Sequence, residues 1–296
     1  MKPYALLAFL SIMAAGPANP QAPQEPPVVF RAESRMVELY ATVLDRKGKY
    51  LDGLPRETFQ ITDNGVPQPI AAFENDTAEL SCAFLLDTTG SMRDSLPLVK
   101  NSISRLLDEY REQDSVAVYG FSTTLDMLQD FTRDKAAAKR AVMRTRAAGG
   151  TALFDAITRV TLEISGRAGK KAVIVFTDGD DNASVLNAQR VVEQAKKSGI
   201  PVYTVAQGDA RRNDQLMNRL KEIARMTGGK TYGVKDAHEA AQIFEDVSAE
   251  LQHTYLLSYR PPETKDLAWR RIQVSLKGGK EYKDCTVRSK EGYYPN

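Results

Sequence analysis

"FLLDTTGSMRD", residues 84–94, decides the fold. An apolar run that begins at Cys82 stops abruptly in one carboxylate, Asp87, and three hydroxyls, Thr88, Thr89 and Ser91. A short, fully apolar run closed by turn residues is the pattern of a strand buried on both faces. Such strands belong to sheets with helices above and below, so strands and helices should alternate around this one.

They do so as far as Gln252. Residues 95–111 place Ile103, Leu106, Leu107 and Tyr110 on one helical face. "SVAVYGFS" and "TLDMLQDF" follow in quick succession, too close for a crossover helix, which predicts an antiparallel pair. A helix over 134–145 leads to the loop "AAGGT" and to a helix carrying Leu153, Ile157, Val160 and Ile164. "KAVIVFTD", helix 187–198, "PVYTVAQG", helix 214–226, "KTYGV" and helix 237–252 complete the series. The fold class is therefore α/β, with a doubly wound, mostly parallel six-stranded sheet over residues 80–252.

Both flanks read as β. "VVFRAE", "RMVELYATVLD", "ETFQITD" and "PQPIAAFE" fill residues 29–78, with "DNG" at 63–65 as a turn between the last two. "TYLLSY", "RIQVSL" and "CTVRS" lie within 253–296. Neither group makes a good fold alone, but about seven strands suit a small sandwich. The expectation is one β-sandwich built from both flanks around the α/β domain; two separate β appendages are the alternative.

The chain begins "MKPYALLAFLSIMAAGPANPQAPQEPP". One lysine, an apolar stretch from Tyr4 to Ala15 and then small residues have the layout of a secretory signal peptide over 1–18, with a proline-rich linker over 19–28. The apolar stretch is short for a membrane span, a short membrane anchor being the alternative, and no later run could cross a bilayer. An extracytoplasmic protein, secreted or periplasmic, is expected, without stable membrane insertion. With 40 basic and 38 acidic side chains, no global field favours nucleic acid. Cys82 and Cys285 are the only cysteines; in an oxidising compartment they would form one disulfide, or else remain two packed thiols.

In a doubly wound sheet, ligands bind beyond the carboxyl ends of the strands where the strand order reverses. For the order 3-2-1-4-5-6 that place lies between strands one and four. Strand one exits into Asp87, Thr89 and Ser91, strand four into Asp178, and the loop before the preceding helix brings Thr151. All five side chains offer oxygen, which suits a hard divalent cation such as Mg2+, Mn2+ or Ca2+. Two carboxylates balance its charge formally, and the neutral hydroxyls leave it electrophilic toward one outside ligand. A Glu or Asp side chain of a protein partner is the natural candidate.

"DTTGS", "GGT" and "FTDG" in this order resemble the metal-ion-dependent adhesion site of von Willebrand factor type A domains. The family pattern is Asp-x-Ser-x-Ser, a distant Thr and a distant Asp at a strand end. Carried over, the resemblance implies that Asp87, Thr89, Ser91, Thr151 and Asp178 hold the metal, with Thr89 where Ser is usual. It covers roughly residues 80–252 and implies metal-dependent adhesion or scaffolding, usually without catalysis. "LDGLPRETFQITDNG" also resembles the leader of secreted bacterial members.

Single residues have plainer roles: Thr151 as a helix cap, Asp178 as the start of the turn "DGDDN". A rival from another class is a Mg2+-dependent phosphotransferase of the haloacid-dehalogenase type, with Asp87 as nucleophile and Lys170 or Lys171 as the phosphate lysine. Those enzymes usually need a second Asp two residues on, where Thr89 stands, and "GGT" would go unexplained. "GRAGKK" lacks the first phosphate-loop glycine, Ile164 standing there. "DGDDNAS" has Ala183 and Gln189 where a calcium loop needs glycine and glutamate. His238 and His253 neighbour no candidate nucleophile.

Overall fold

The computed structural model describes residues 36–75, 78–235, 237–279 and 281–295. The expected signal peptide, linker and "VVFRAE" strand lie outside the described residues. Four strands come first: β1 (Val37–Leu44), β2 (Phe59–Asp63), β3 (Val66–Gln68) and β4 (Ala72–Glu74). The α/β region follows with β5 (Leu80–Asp87), α1 (Leu96–Glu109), β6 (Ser115–Phe121), β7 (Leu125–Thr132), α2 (Lys135–Arg144), α3 (Leu153–Ser165) and β8 (Lys170–Thr177). It continues through α4 (Ala188–Ser198), β9 (Val202–Ala206), α5 (Gly208–Arg212), α6 (Asp214–Thr227), β10 (Thr231–Gly233) and α7 (Ala237–Gln252). Last come β11 (Tyr255–Tyr259), β12 (Arg270–Leu276), β13 (Thr286–Arg288) and β14 (Gly292–Tyr293).

The central sheet runs β10-β9-β8-β5-β6-β7, parallel except for β7, which pairs antiparallel with β6. Counted within the domain this is the order 3-2-1-4-5-6, and β5 and β8 flank the reversal. Every residue of β5 is buried. Its side chains alternate: Cys82, Phe84 and Leu86 join the cluster under α1, α2 and α7, while Ala83 and Leu85 join the cluster under α3, α4 and α6. A strand covered on both faces needs an unbroken apolar run. Burying a side chain of Leu or Phe size stabilises by about 1.5–3 kcal/mol, so β5 is a rigid base for whatever leaves its end.

The flanking strands form two four-stranded antiparallel sheets, β13-β1-β11-β4 and β14-β12-β2-β3. Each mixes strands from before and after the α/β region: β1 pairs with β11, and β2 with β12. Leu39 and Val43 of β1, Phe59 and Ile61 of β2, Leu257 of β11 and Val274 of β12 share one apolar cluster. The "DNG" turn joins β2 to β3 with Asn64 at φ 48° and Gly65 at φ 80°, as a two-residue hairpin turn requires.

The structure corrects one expectation, decides between two others and adds short elements. "PQPIAAFE" is two strands, not one: β3 stays with β2, whereas β4 crosses to the other sheet and pairs with β11. Pro69, which cannot donate to a ladder, falls in the gap. Cys82 and Cys285 are free thiols; Cys82 lies in the core of the central sheet and Cys285 against the separate sandwich core, which forbids a disulfide. The short α5, β14 and a 3-10 turn over Gly90–Arg93 were too brief to register as periodic patterns. Among the described residues no helix is long and apolar enough to cross a membrane.

Candidate metal centre

Asp87 ends the buried run of β5 and is itself fully buried. One carboxylate oxygen accepts the Thr89 backbone N–H at 2.9 Å, and the other accepts the Thr177 hydroxyl at 2.8 Å. The chain then turns through Gly90, and Ser91 comes back into register with Thr89, their hydroxyl oxygens 2.9 Å apart. Ser91 donates to Asp178 at 2.8 Å. The Thr89 side chain also bonds the Asp87 carboxyl, so its one proton is shared between Asp87 and Ser91. The two hydroxyls thus bridge the space between the Asp87 and Asp178 carboxyl groups.

Thr151 is buried and enters from the α2–α3 loop. A Cβ placed on Gly179 would lie 3.7 Å from the Thr151 hydroxyl oxygen and 3.8 Å from that of Ser91. Thr151 and Ser91 therefore face the same small space beside Asp178. All five residues singled out in the sequence converge here, from three segments far apart in the chain.

Two further contributors escaped sequence reading. Thr177 anchors Asp87, and its signal was weak, one polar residue closing an apolar strand. Asn182 accepts the Thr151 backbone N–H at 2.9 Å and returns its own N–H to the Thr151 carbonyl at 3.0 Å. Around it, Asp181 accepts the Phe154 N–H, and Asp155 accepts those of Val185 and Leu186. The acidic rhythm of "DGDDNAS" serves to clasp this loop against the start of α3, which fixes Thr151.

Burial pushes the Asp87 carboxyl above its ordinary range, against the bonds from Thr89 and Thr177. Asp178 is also raised, by burial first and by the nearby Asp87 charge, while the Ser91 bond opposes this. Among the described residues neither carboxylate has a cationic partner. Two buried carboxylates sharing a site without a counter-charge cost stability; a divalent cation would supply that charge, and the donor set of carboxylates and hydroxyls fits a hard one. Among the described residues, no three His, Cys, Asp or Glu side chains gather as a metal-holding group, so hydroxyls would have to complete the shell.

Lys170 and Lys171 lie at the start of β8, while Asp178 follows its end. Seven residue steps of strand, about 23 Å, separate them. The Lys170 ammonium donates to the carbonyls of Leu251 and Thr254, and Lys171 pairs with Glu38 at 3.0 Å. Neither lysine can serve a phosphoryl group at Asp87.

The model of the von Willebrand factor type A domain matches residues 82–246, more than half of the chain. The chain belongs to that family. A curated relative, "Uncharacterized protein YfbK" of Escherichia coli (strain K12), is 28% identical over 170 residues, covering 54% of this chain and 29% of its own length; the match spans less than a third of that relative. Among solved structures, a von Willebrand factor type A protein from Catenulispora acidiphila aligns over 90% of this chain and 75% of its own, at TM-score 0.52 and 16% identity. The vWF domain of the type V pili tip protein Mfa5 from Porphyromonas gingivalis covers 58% of this chain and 94% of its own, at TM-score 0.50 and 12% identity. Proximal thread matrix protein 1 of the mussel byssus aligns over 65% and 51%, at TM-score 0.52 and 19% identity. At such identities the likeness speaks to the fold alone.

Proposed function

We propose that this chain is an exported, non-catalytic binding protein of the adhesion or scaffolding kind. Asp87, Thr89, Ser91, Thr151 and Asp178 would hold a divalent cation, Mg2+ or else Mn2+ or Ca2+, some of them through water. The ion supplies an electrophilic position that a Glu or Asp carboxylate of a protein partner can fill. Asp87 and Asp178 provide the charge, the hydroxyls provide weak neutral donors, and Thr177 and Asn182 keep the two outer segments in place. One observation carries the reading: two buried carboxylates, Asp87 bonded by the Thr89 N–H and Asp178 by the Ser91 hydroxyl, lack any cationic partner among the described residues. One protein of similar fold is a pilus tip protein, in keeping with an adhesive role, and the N-terminal sequence pattern supports export.

Calorimetric titration of Mg2+ and Mn2+ into metal-stripped protein tests it. Saturable binding of one ion, absent in Asp87→Ala while the variant keeps its circular dichroism, is the expected result. Wild-type protein that takes up no ion even with a glutamate-bearing peptide present would refute the metal reading. Hydrolysis of a simple aryl phosphate that depends on Asp87 would refute the non-catalytic one.

A further inference from the structure

The rim of the site is electrically lopsided. The loop after α2 is tied to the site loop: the Ala148 N–H donates to the Thr88 carbonyl at 2.7 Å, and the Gly90 N–H to the Gly149 carbonyl at 3.4 Å. That junction places Arg144 and Arg146 on the same side of the site as Arg93, two residues beyond Ser91. All three are exposed. Among the described residues none of their side chains is ion-paired or hydrogen-bonded. Lys100 adds to this side, donating to the carbonyls of Met143 at 3.0 Å and Thr145 at 2.7 Å. The Arg146 charge acts on it, since it joins burial in making the Lys100 ammonium easier to deprotonate. Asp94 offsets one of these charges and leaves an excess.

The opposite side, formed by α5 and the loop after β8, carries Asp180 and Asp209, of which only Asp209 is ion-paired among the described residues. Asp180 accepts from the Asn213 side chain at 2.9 Å, and Asp209 lies 3.8 Å from Arg212. The chain as a whole carries a formal net charge of only +2, so this excess of arginine at one edge is a local feature and not the spill-over of a basic protein. Arg144 stands in the last turn of α2, where its charge favours the helix end, whereas Arg93 and Arg146 have no side-chain partner among the described residues. Their fork geometry suits carboxylates presented side by side.

We infer that the partner segment is acidic beyond its metal-binding residue, with a second carboxylate, a few residues from the first, docking on Arg93 and Arg146. The site then reads an acidic stretch and not a lone Glu or Asp. This rests on the metal-site reading above. Two exposed ion pairs should favour a multiply acidic ligand by about two- to thirtyfold, more at low salt than at high.

The test uses the full chain with excess Mg2+ and two end-blocked probes, Gly-Glu-Gly and Glu-Glu-Glu, titrated at low and high NaCl. Wild-type protein should prefer triglutamate, and the preference should shrink with salt. The double variant Arg93→Glu, Arg146→Glu should lose the preference while binding Mg2+ and Gly-Glu-Gly as before; Arg93→Gln, Arg146→Gln should lose it in part. A preference that survives charge reversal, or a wild-type protein that takes up Mg2+ but does not favour triglutamate, overturns the inference and leaves the metal site standing. Failure of Mg2+ uptake by the wild type strikes the metal reading itself, and this inference falls with it.

Discussion

Asp87 and Asp178 are held where an isolated carboxylate is badly placed, and the sign of the resulting pH dependence is opposite to that of an ordinary salt-bridged acid. In the unfolded chain each ionises near 3.8, whereas in the folded protein each keeps its proton to higher pH. Across that window the folded state binds more protons, so metal-free protein loses stability as pH rises through it. Asp178→Asn keeps an oxygen for Ser91 and removes one charge. Metal-free Asp178→Asn should therefore melt a few degrees above wild type at pH 7, about 1 kcal/mol corresponding to about 2–4 °C for a domain of this size. With Mg2+ at a hundred times its dissociation constant, wild type should gain about 2.7 kcal/mol, and the variant should not respond. Scanning calorimetry of both proteins with and without Mg2+ checks this; equal melting without metal would show that the two charges are not costly. Thr177→Val makes a second case. It removes a donor to Asp87 without touching any proposed ligand, and should weaken Mg2+ binding tenfold or more, about 1.5–3 kcal/mol for one hydrogen bond to a charged group. Unchanged titration isotherms would remove Thr177 from the site.

At the scale of elements, what could be read from sequence divides by how regular the pattern is. The helices and core strands announced themselves through periods of 3.6 residues or unbroken apolar runs, because the packing that stabilises them demands those patterns. The five oxygen-bearing residues were legible because they stand at the ends of such elements. Thr177 and Asn182 were not, since a hydrogen bond to a distant backbone leaves no periodic trace. Asp63 shows the same limit. It reads as an ordinary turn residue of "DNG", yet it is fully buried and accepts from Tyr259 at 2.9 Å, Tyr293 at 3.0 Å and Arg270 at 2.8 Å. These partners come from β11, β14 and β12, so one carboxylate ties both sheets of the sandwich together. Removing one member of a buried charged network leaves the others unpaired, at a cost of about 3–5 kcal/mol. Asp63→Ala should lower the urea midpoint accordingly; a change of under about 1 kcal/mol, within the range of surface substitutions, would mean that water replaces the carboxylate.

For the whole molecule the question is how the sandwich is fastened to the α/β domain. Glu250 near the end of α7 accepts from Tyr203 of β9 at 2.6 Å and pairs with Arg288 of β13. Arg225 of α6 pairs with Glu291 at 2.6 Å. Between these, Lys290 runs inward past the carboxyl ends of two helices. A Cβ on Gly199, the left-handed residue that closes α4, would sit 2.4 Å from its ammonium nitrogen, and one on Gly228, which closes α6, would sit 3.1 Å from its backbone nitrogen. Lys290 is buried, and burial lowers its ammonium to about 8, with the Glu38 charge opposing. The unfolded lysine keeps its proton to about 10.5. Between these values the unfolded state binds more protons, so Lys290 costs most below pH 8, and stability is recovered as pH rises toward 10.5. The cost is of the order of 3 kcal/mol, reduced by the attraction of the two helix carboxyl ends for a cation. Lys290→Met fills the same channel without charge. It should be the more stable protein at pH 7, and most of its advantage over wild type should be gone by pH 10. Urea denaturation of the pair at both pH values isolates the effect, because tyrosines and cysteines common to both proteins cancel in the difference. A gap that does not change with pH would show that the ammonium reaches water, and Lys290 would then fasten the sandwich through its methylene stem alone.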